Sequence, residues 1–140
     1  MSAPSTRRAP SAIATAASTD TTGPGGTPST EAFTSVVSYA TEVKASVLGV
    51  PPGPVVSVDA AVAMAEGARR VLGADVGLAL TGVAGPTEQE GQPVGTLHVG
   101  LALGEAVETA SLRLPGQREQ MRQFSVISSL DLLRRRLLAL

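Results

Sequence analysis

Several residue types that build common kinds of active site are scarce or missing in this chain. Its 140 residues include no cysteine, no tryptophan and one histidine, His98. The absence of cysteine excludes a disulfide framework and a thiolate nucleophile, and because it fits a reducing cytosol we expect a cytoplasmic protein. One histidine cannot form a multi-histidine metal site, so we expect no metal and no cofactor.

Charge and hydropathy argue against two further classes of partner. The formal net charge is −1, which offers no electrostatic basis for binding nucleic acid. The one dense basic run, Arg134–Arg136, falls in the last turn of a predicted helix, where cations complement the helix dipole. No apolar run reaches the roughly 18 residues that a membrane span needs. We therefore expect neither a nucleic acid nor a membrane as partner.

Composition divides the chain into two parts. Residues 1–32 are rich in Ser, Thr, Pro, Gly and Ala, which predicts a disordered leader with at most a weak helix at 11–19. Residues 33–140 carry the periodic apolar patterns of one ordered domain. Only three residues are aromatic, two Phe and one Tyr, so aliphatic side chains must form the core.

The ordered part mixes strand and helix patterns. Short apolar runs predict four strands, at residues 36–40, 75–80, 95–103 and 107–114. Helical spacing predicts three helices, at residues 41–48, 58–72 and 118–138. Ser57 is the expected N-cap of the second helix and Gly73 its terminator. The order of elements predicts an α/β domain with a mixed β-sheet flanked by helices.

Tyr39 and Lys44 span the end of the first predicted strand and the start of a helix. This is the sheet edge at which open α/β folds bind ligands. A lysine that is partly desolvated there has a lowered pKa and can act as a general base, with the phenol relaying a proton. The alternative is a surface lysine and a tyrosine that anchors its strand.

The segment Thr81-Gly-Val-Ala-Gly-Pro86 directly follows a buried strand. Gly82 and Gly85 would let the backbone approach a ligand, and the Thr81 hydroxyl could donate to a phosphate or a carboxamide. The alternative is an ordinary strand-to-loop turn.

Two further polar residues have competing interpretations. Arg118 stands at the start of the last helix, where the helix dipole disfavours a cation, and this indicates a bound anion. The alternative is a solvated arginine. His98 lies in mid-strand, where a histidine held in the sheet by a hydrogen bond is favoured over a catalytic one.

Together these residues resemble the CinA C-terminal domain family, which includes nicotinamide mononucleotide deamidases. The similarity runs from about Val36 to Leu138. It rests on five segments: VVSYATEVKASVLGVP at 36–51, AVAMAEGARRVLGAD at 61–75, LTGVAGP at 80–86, QPVGTLHV at 92–99 and LRLPGQREQMR at 112–122.

The resemblance implies a reaction and roles for these residues. The family hydrolyses the carboxamide of nicotinamide mononucleotide, which yields nicotinic acid mononucleotide and ammonia. The implied partner is thus a small nucleotide substrate. Lys44 and Tyr39 match catalytic or near-catalytic positions, whereas Thr81, Gly82, Gly85 and Arg118 match the substrate pocket. A serine is the implied nucleophile, activated by the lysine.

The chain departs from the family upstream of these segments. Members carry Ala-Glu-Ser-x-Thr-Gly-Gly after a β-strand. When residues 12–20 are aligned with the helix that follows this motif, the motif falls on Thr6–Ala12 and its residues are missing. We then expect the first strand to be absent and neither Ser5 nor Ser11 to be supported as the nucleophile. An exposed sheet edge would favour a homodimer. The alternative function is that of a degenerate, non-catalytic relative that binds a nucleotide or a protein.

Overall fold

A computed structural model describes residues 12–17, 33–38 and 41–140 of the chain. These residues form eight elements: β1 (Ala12–Ala17), β2 (Phe33–Ser38), α1 (Thr41–Ser46), α2 (Val58–Leu72), β3 (Val76–Gly82), β4 (Thr96–Leu103), β5 (Ala106–Arg113) and α3 (Arg118–Leu138). The predicted α/β class is confirmed. In this described part of the chain, no helix combines the length and the hydropathy that a membrane span requires.

The strands form one five-stranded sheet in the order β2-β1-β3-β4-β5. All four pairings between these strands are antiparallel, where a mixture of strand directions was expected. One row of paired residues crosses the whole sheet and consists of Ser38, Ala12, Thr81, His98 and Ser111. This row marks the end of the sheet at which the predicted site residues lie.

The presence of β1 corrects the expectation for residues 1–32. Residues 12–17 form a strand rather than part of a leader or a weak helix, and this strand lies between β2 and β3. Without it, the ladder edge of the buried strand β3 would lack backbone partners. The expected absence of a first strand is therefore wrong, and the reason it offered for a homodimer no longer applies. The rest of 1–32 lies outside the described residues.

Helices cover both faces of the sheet. Helix α2 begins after Ser57, whose hydroxyl oxygen accepts a hydrogen bond from the Ala60 N–H at 3.1 Å, and it ends at Gly73. Both caps match the sequence prediction. The apolar face of α2 packs on small side chains of β3 and β4, whereas α3 contacts the opposite face through the partly buried Leu132 and Leu133.

Apolar residues recur every three or four positions along α3, which predicts that they share one buried face. The structure confirms this prediction only in part. Met121 is buried, but Phe124, Ile127 and Leu130 are 42%, 63% and 52% exposed. Successive positions three apart rotate by about −60° around a helix of 3.6 residues per turn. An i, i+3, i+6 series therefore spirals away from the core instead of forming one face.

Candidate functional site

Lys44 is buried at the edge of the sheet that holds Thr81. It lies in α1, which begins three residues after β2 ends, and its side chain is 0% exposed. It is also the only lysine of the chain. Lysine is almost never fully buried unless its charge is compensated. The alternative interpretation as a surface lysine is therefore wrong.

Burial changes the acid–base chemistry of Lys44. Desolvation holds the pKa of its ammonium below the ordinary value of 10.5, and the negative charge of Glu90 acts in the opposite direction. A lowered pKa increases the fraction of neutral amine near neutral pH. A neutral amine has a lone pair and can accept a proton from a hydroxyl nucleophile.

Thr81 is buried, and its hydroxyl is already engaged within the protein. Its side chain is 1% exposed, and its Oγ1 donates a hydrogen bond of 2.6 Å to the carbonyl oxygen of Val55. The proton that we expected Thr81 to donate to a substrate is thus directed at the segment before α2. In this arrangement Thr81 orders the wall of the site, and its oxygen can only accept a further hydrogen bond.

Gly82 and Gly85 lie at the end of β3 and in the following loop. A Cβ atom at Gly82 would come within 2.4 Å of the Thr96 carbonyl oxygen, so the close approach made here is to the neighbouring strand. The Gly85 carbonyl oxygen accepts a hydrogen bond of 3.1 Å from Nη1 of Arg118. The two glycines therefore help to join β3, β4 and the start of α3.

Arg118 links the start of α3 to this loop while remaining exposed to solvent. The preceding backbone N–H, that of Gln117, donates at 3.0 Å to the side chain of Gln120. One guanidinium nitrogen of Arg118 is occupied by Gly85, and a guanidinium carries five N–H donors in all. Arg118 therefore keeps donors with which it can bind an anion while it holds the loop.

Glu90 is a residue of this region that the sequence interpretation missed. The turn Gln89–Gln92 is closed by a pair of backbone hydrogen bonds, and its two central residues have φ values of 52° and 74°. Glu90 Oε2 accepts a hydrogen bond of 2.8 Å from the Val56 N–H. The Glu-Gly pair in a polar loop is a turn signal, but no sequence pattern connects it with a segment 34 residues away.

The structure thus brings Thr81 and Glu90 together at the segment Val55–Val56, and the charge of Glu90 in turn acts on Lys44. Tyr39 lies outside the described residues, although it follows Ser38, which belongs to the same row of the sheet as Thr81. The proposed pairing of Tyr39 with Lys44 therefore stays a prediction.

His98 is the neighbour of Thr81 on β4. Its Nδ1 lies 2.9 Å from the Ser111 hydroxyl oxygen, which confirms the expected hydrogen bond within the sheet. Among the described residues, its buried Nε2 has no hydrogen-bond partner. Burial lowers the pKa of His98, which favours the neutral ring at this position.

A separate cavity of about 150 Å³ lies at the opposite end of the sheet. It is lined by residues of β4, β5 and the end of α3, including Leu103, Glu108 and Arg136. Arg136 and Glu108 form an ion pair beside it. None of the predicted site residues lines this cavity, so it is distinct from the Lys44–Thr81 edge.

The chain matches the family model of the CinA C-terminal domain over residues 13–137. The match begins inside β1, so the segment Thr6–Ala12, on which the serine motif was expected, lies outside it. Within the match, Ser18 directly follows β1, and Ala16-Ala17-Ser18 resembles the Ala-Glu-Ser of the motif with Ala17 in place of Glu. Residues 12–17 form a strand rather than the helix with which they were aligned, and the position of the serine motif stays a prediction.

Relatives and solved structures agree with this match. The chain is 56% identical over 110 residues to a CinA-like protein of Frankia casuarinae, and 44% identical over 102 residues to a putative competence-damage inducible protein of Desulforamulus reducens. These alignments cover 75% and 69% of this chain, and the chain spans about a quarter (25%) of the length of either relative.

Two crystal structures are similar to the described fold. One is a competence-damaged protein (CinA) superfamily protein of Enterobacter cloacae, with a TM-score of 0.66 and 29% identity over 69% of this chain and 60% of that one. The other is the competence damage-inducible protein A (ComA) of Klebsiella pneumoniae, with a TM-score of 0.68 and 28% identity over 71% of this chain and 65% of that one. The family match, the relatives and the fold lead to one conclusion: the chain belongs to the CinA C-terminal domain family.

Proposed function

We propose that this domain hydrolyses the carboxamide of nicotinamide mononucleotide to nicotinic acid mononucleotide and ammonia. The observation that carries the proposal is the buried Lys44, which lies in α1 just after β2 and whose pKa is lowered by desolvation. Such an amine is suited to take a proton from a serine hydroxyl, a chemistry that needs neither a thiolate nor a histidine.

In this mechanism a serine oxygen attacks the carboxamide carbon while Lys44 accepts the serine proton. The C–N bond breaks, and Lys44 returns the proton to the departing nitrogen, so that ammonia leaves. Water then hydrolyses the acyl-serine ester and restores the enzyme. Arg118 has free guanidinium donors for the nucleotide phosphate, and Tyr39 assists the proton transfers.

Two serines compete for the role of nucleophile. Ser18 is favoured by the sequence pattern, because it follows β1 within the family match, as the serine of the motif follows a strand. Ser11 is favoured by the strand register, because it precedes Ala12, the residue paired with Thr81, whereas β1 ends at Ala17 beside Val76. Thr81 and Val76 are five positions apart, roughly 17 Å along a strand.

Ammonia release from nicotinamide mononucleotide by the purified protein tests the proposal. We expect turnover in the wild type and a loss on the order of 10²–10⁴ in Lys44→Met, the range that a general base contributes. The two variants Ser18→Ala and Ser11→Ala identify the nucleophile, whose loss costs about 10⁴–10⁶. Ser5→Ala is the matched control and keeps wild-type activity. A wild type without turnover above buffer contradicts the proposed function.

A second candidate function is nucleotide binding without hydrolysis. It is favoured by the residues after Ser18, where Asp20, Thr21 and Thr22 stand in place of the Thr-Gly-Gly of the motif. Those glycines would shape the turn that stabilises an oxyanion. Calorimetric titration with nicotinamide mononucleotide distinguishes the two functions: binding without ammonia release supports this candidate, and the absence of binding contradicts both.

A further inference from the structure

Glu90 adopts a backbone conformation that is unfavourable for a residue with a side chain. Its φ of 52° makes it the one non-glycine residue with positive φ in the described part of the chain. Glycine or asparagine adopts this conformation with less strain, and both are common at the first central position of such a two-residue turn. The turn geometry alone therefore does not explain a glutamate here, which directs attention to the contacts of its side chain.

The Glu90 side chain and Thr81 hold the same short segment from two directions. The Val56 N–H donates to Glu90 Oε2 at 2.8 Å, and the preceding carbonyl, that of Val55, accepts from Thr81 Oγ1 at 2.6 Å. Val55 and Val56 are 4% and 0% exposed. A carboxylate that accepts a backbone N–H makes a charge-assisted hydrogen bond, which is stronger than one between neutral groups.

The negative charge of Glu90 also acts on Lys44, where it raises the pKa against the lowering effect of desolvation. Two other carboxylates belong to the same elements: Glu42 lies on the helix of Lys44 and Glu88 in the loop of Glu90, and both are exposed. A negative charge near a desolvated amine stabilises its protonated form. A general base is in this protonated form after it has accepted a proton from the nucleophile.

We propose that Glu90 is a positioning residue of this site: its carboxylate fixes the Val55–Val56 backbone against Thr81 and supplies the negative charge that stabilises Lys44 when it is protonated. The catalytic role of Glu90 in this proposal rests on the amide hydrolysis proposed above. The electrostatic pairing of Glu90 with Lys44 is measurable without turnover.

Lys44 can be observed directly because it is the only lysine. Protein labelled with ¹³C at the lysine ε carbon gives one lysine ε signal, and its chemical shift reports protonation as the pH is raised. Glu90→Gln removes the charge but keeps an oxygen that can accept from the Val56 N–H. Glu88→Gln makes the same change of net charge two residues away, and because both carboxylates are exposed it is the matched control.

We expect the titration midpoint of the Lys44 signal to move to lower pH in Glu90→Gln and to stay at the wild-type value in Glu88→Gln. Equal midpoints in all three proteins overturn the proposal. If Glu90→Gln does not fold, Glu90→Asn replaces it, because asparagine also lacks the charge and adopts the positive φ of this position with less strain. A midpoint identical to the wild type in that variant then overturns the proposal.

Kinetics separate this proposal from the proposed function. If the wild type is active, Glu90→Gln should lower kcat. It should also move the acidic limb of the kcat/KM profile to lower pH, by the same amount as the NMR midpoint. Loss of packing alone would instead lower the activity at every pH. If the wild type releases no ammonia but its Lys44 midpoint still depends on Glu90, the hydrolytic function fails and the pairing stands. If the wild type is active and neither the midpoint nor the pH profile changes, the positioning role is refuted.

Discussion

Replacing Thr81 with valine removes one buried hydrogen bond and almost no volume. The Thr81 hydroxyl donates to the Val55 carbonyl at 2.6 Å, and both residues are buried, at 1% and 4% exposure. Valine has the shape of threonine, so the packing of the side chain against its neighbours should persist. The chief change in Thr81→Val is that the Val55 carbonyl loses its donor in a place that water does not readily reach.

An unsatisfied buried polar group costs about 1–3 kcal/mol. We therefore expect the free energy of unfolding of Thr81→Val to fall by roughly 1–3 kcal/mol. For an ordered domain of about 100 residues, each kcal/mol corresponds to about 4–8 °C in Tm. Thr81→Ser is the matched variant: it keeps the hydroxyl, loses one methyl group, and should cost about 0.8 kcal/mol or somewhat more.

Urea unfolding followed by circular dichroism measures both variants against the wild type. The reasoning requires Thr81→Val to be less stable than Thr81→Ser, because it ascribes most of the stability that Thr81 contributes to the hydroxyl and less to the methyl group. It is refuted if Thr81→Val is as stable as the wild type, or if the serine variant is the weaker of the two. The same experiment on Glu90→Ala should show coupling with Thr81→Val, because the two side chains hold adjacent backbone groups.

Three further predictions concern packing, pH and substrate binding. Gly67→Ala should destabilise the domain by about 1–3 kcal/mol in urea unfolding, because the added Cβ would lie 2.1 Å from the Leu48 carbonyl oxygen. A variant that is more stable than the wild type would contradict the described contact between α2 and the segment after α1. The pKa of Lys44 is lowered from 10.5 in the folded protein, so the unfolded chain binds more protons between the two pKa values, and the free energy of unfolding should rise with pH up to about 10.5. A pH series on Lys44→Met should lack this rise, and an equal slope in both proteins refutes the assignment. Arg118→Ala should raise KM for nicotinamide mononucleotide about 10-fold or more, the effect of one lost charge-assisted hydrogen bond, with a smaller change in kcat; Arg122→Ala, one turn further along α3, is the control, and equal effects of both would argue against a specific phosphate contact.

Local signals predicted the elements after residue 40 well. Ser57 and Gly73 delimit α2 as its caps required, and the start and end of α3 agree with the prediction. These features depend on hydrogen bonds and backbone angles within a few residues, so the local sequence is enough to predict them. The exposed side of α3 was missed for the same reason, since a series of apolar residues three apart does not reveal where the sheet lies.

Residues 12–17 show the limit of composition. Alanine-rich and short, they resemble part of a low-complexity leader, yet they pair with β2 and β3 in the middle of the sheet. Their strand conformation is decided by two partners that lie about 20 and 60 residues away in the chain. The same misjudgement aligned residues 12–20 with a helix, although residues 12–17 form a strand.

The sequence by itself determined the α/β class, the helices with their caps and the family to which the chain belongs, because short-range patterns and separate motifs in the right order carry that information. Only the tertiary structure decided the state of the site residues. Lys44 could have been a solvated lysine, the Thr81 hydroxyl could have faced a ligand, and Glu90 attracted no notice at all. Three properties depend on residues distant in the chain: the burial of Lys44, the acceptor of the Thr81 hydroxyl and the charge that acts on the Lys44 amine. These residues become neighbours only when α1, β3 and the loop before β4 pack together.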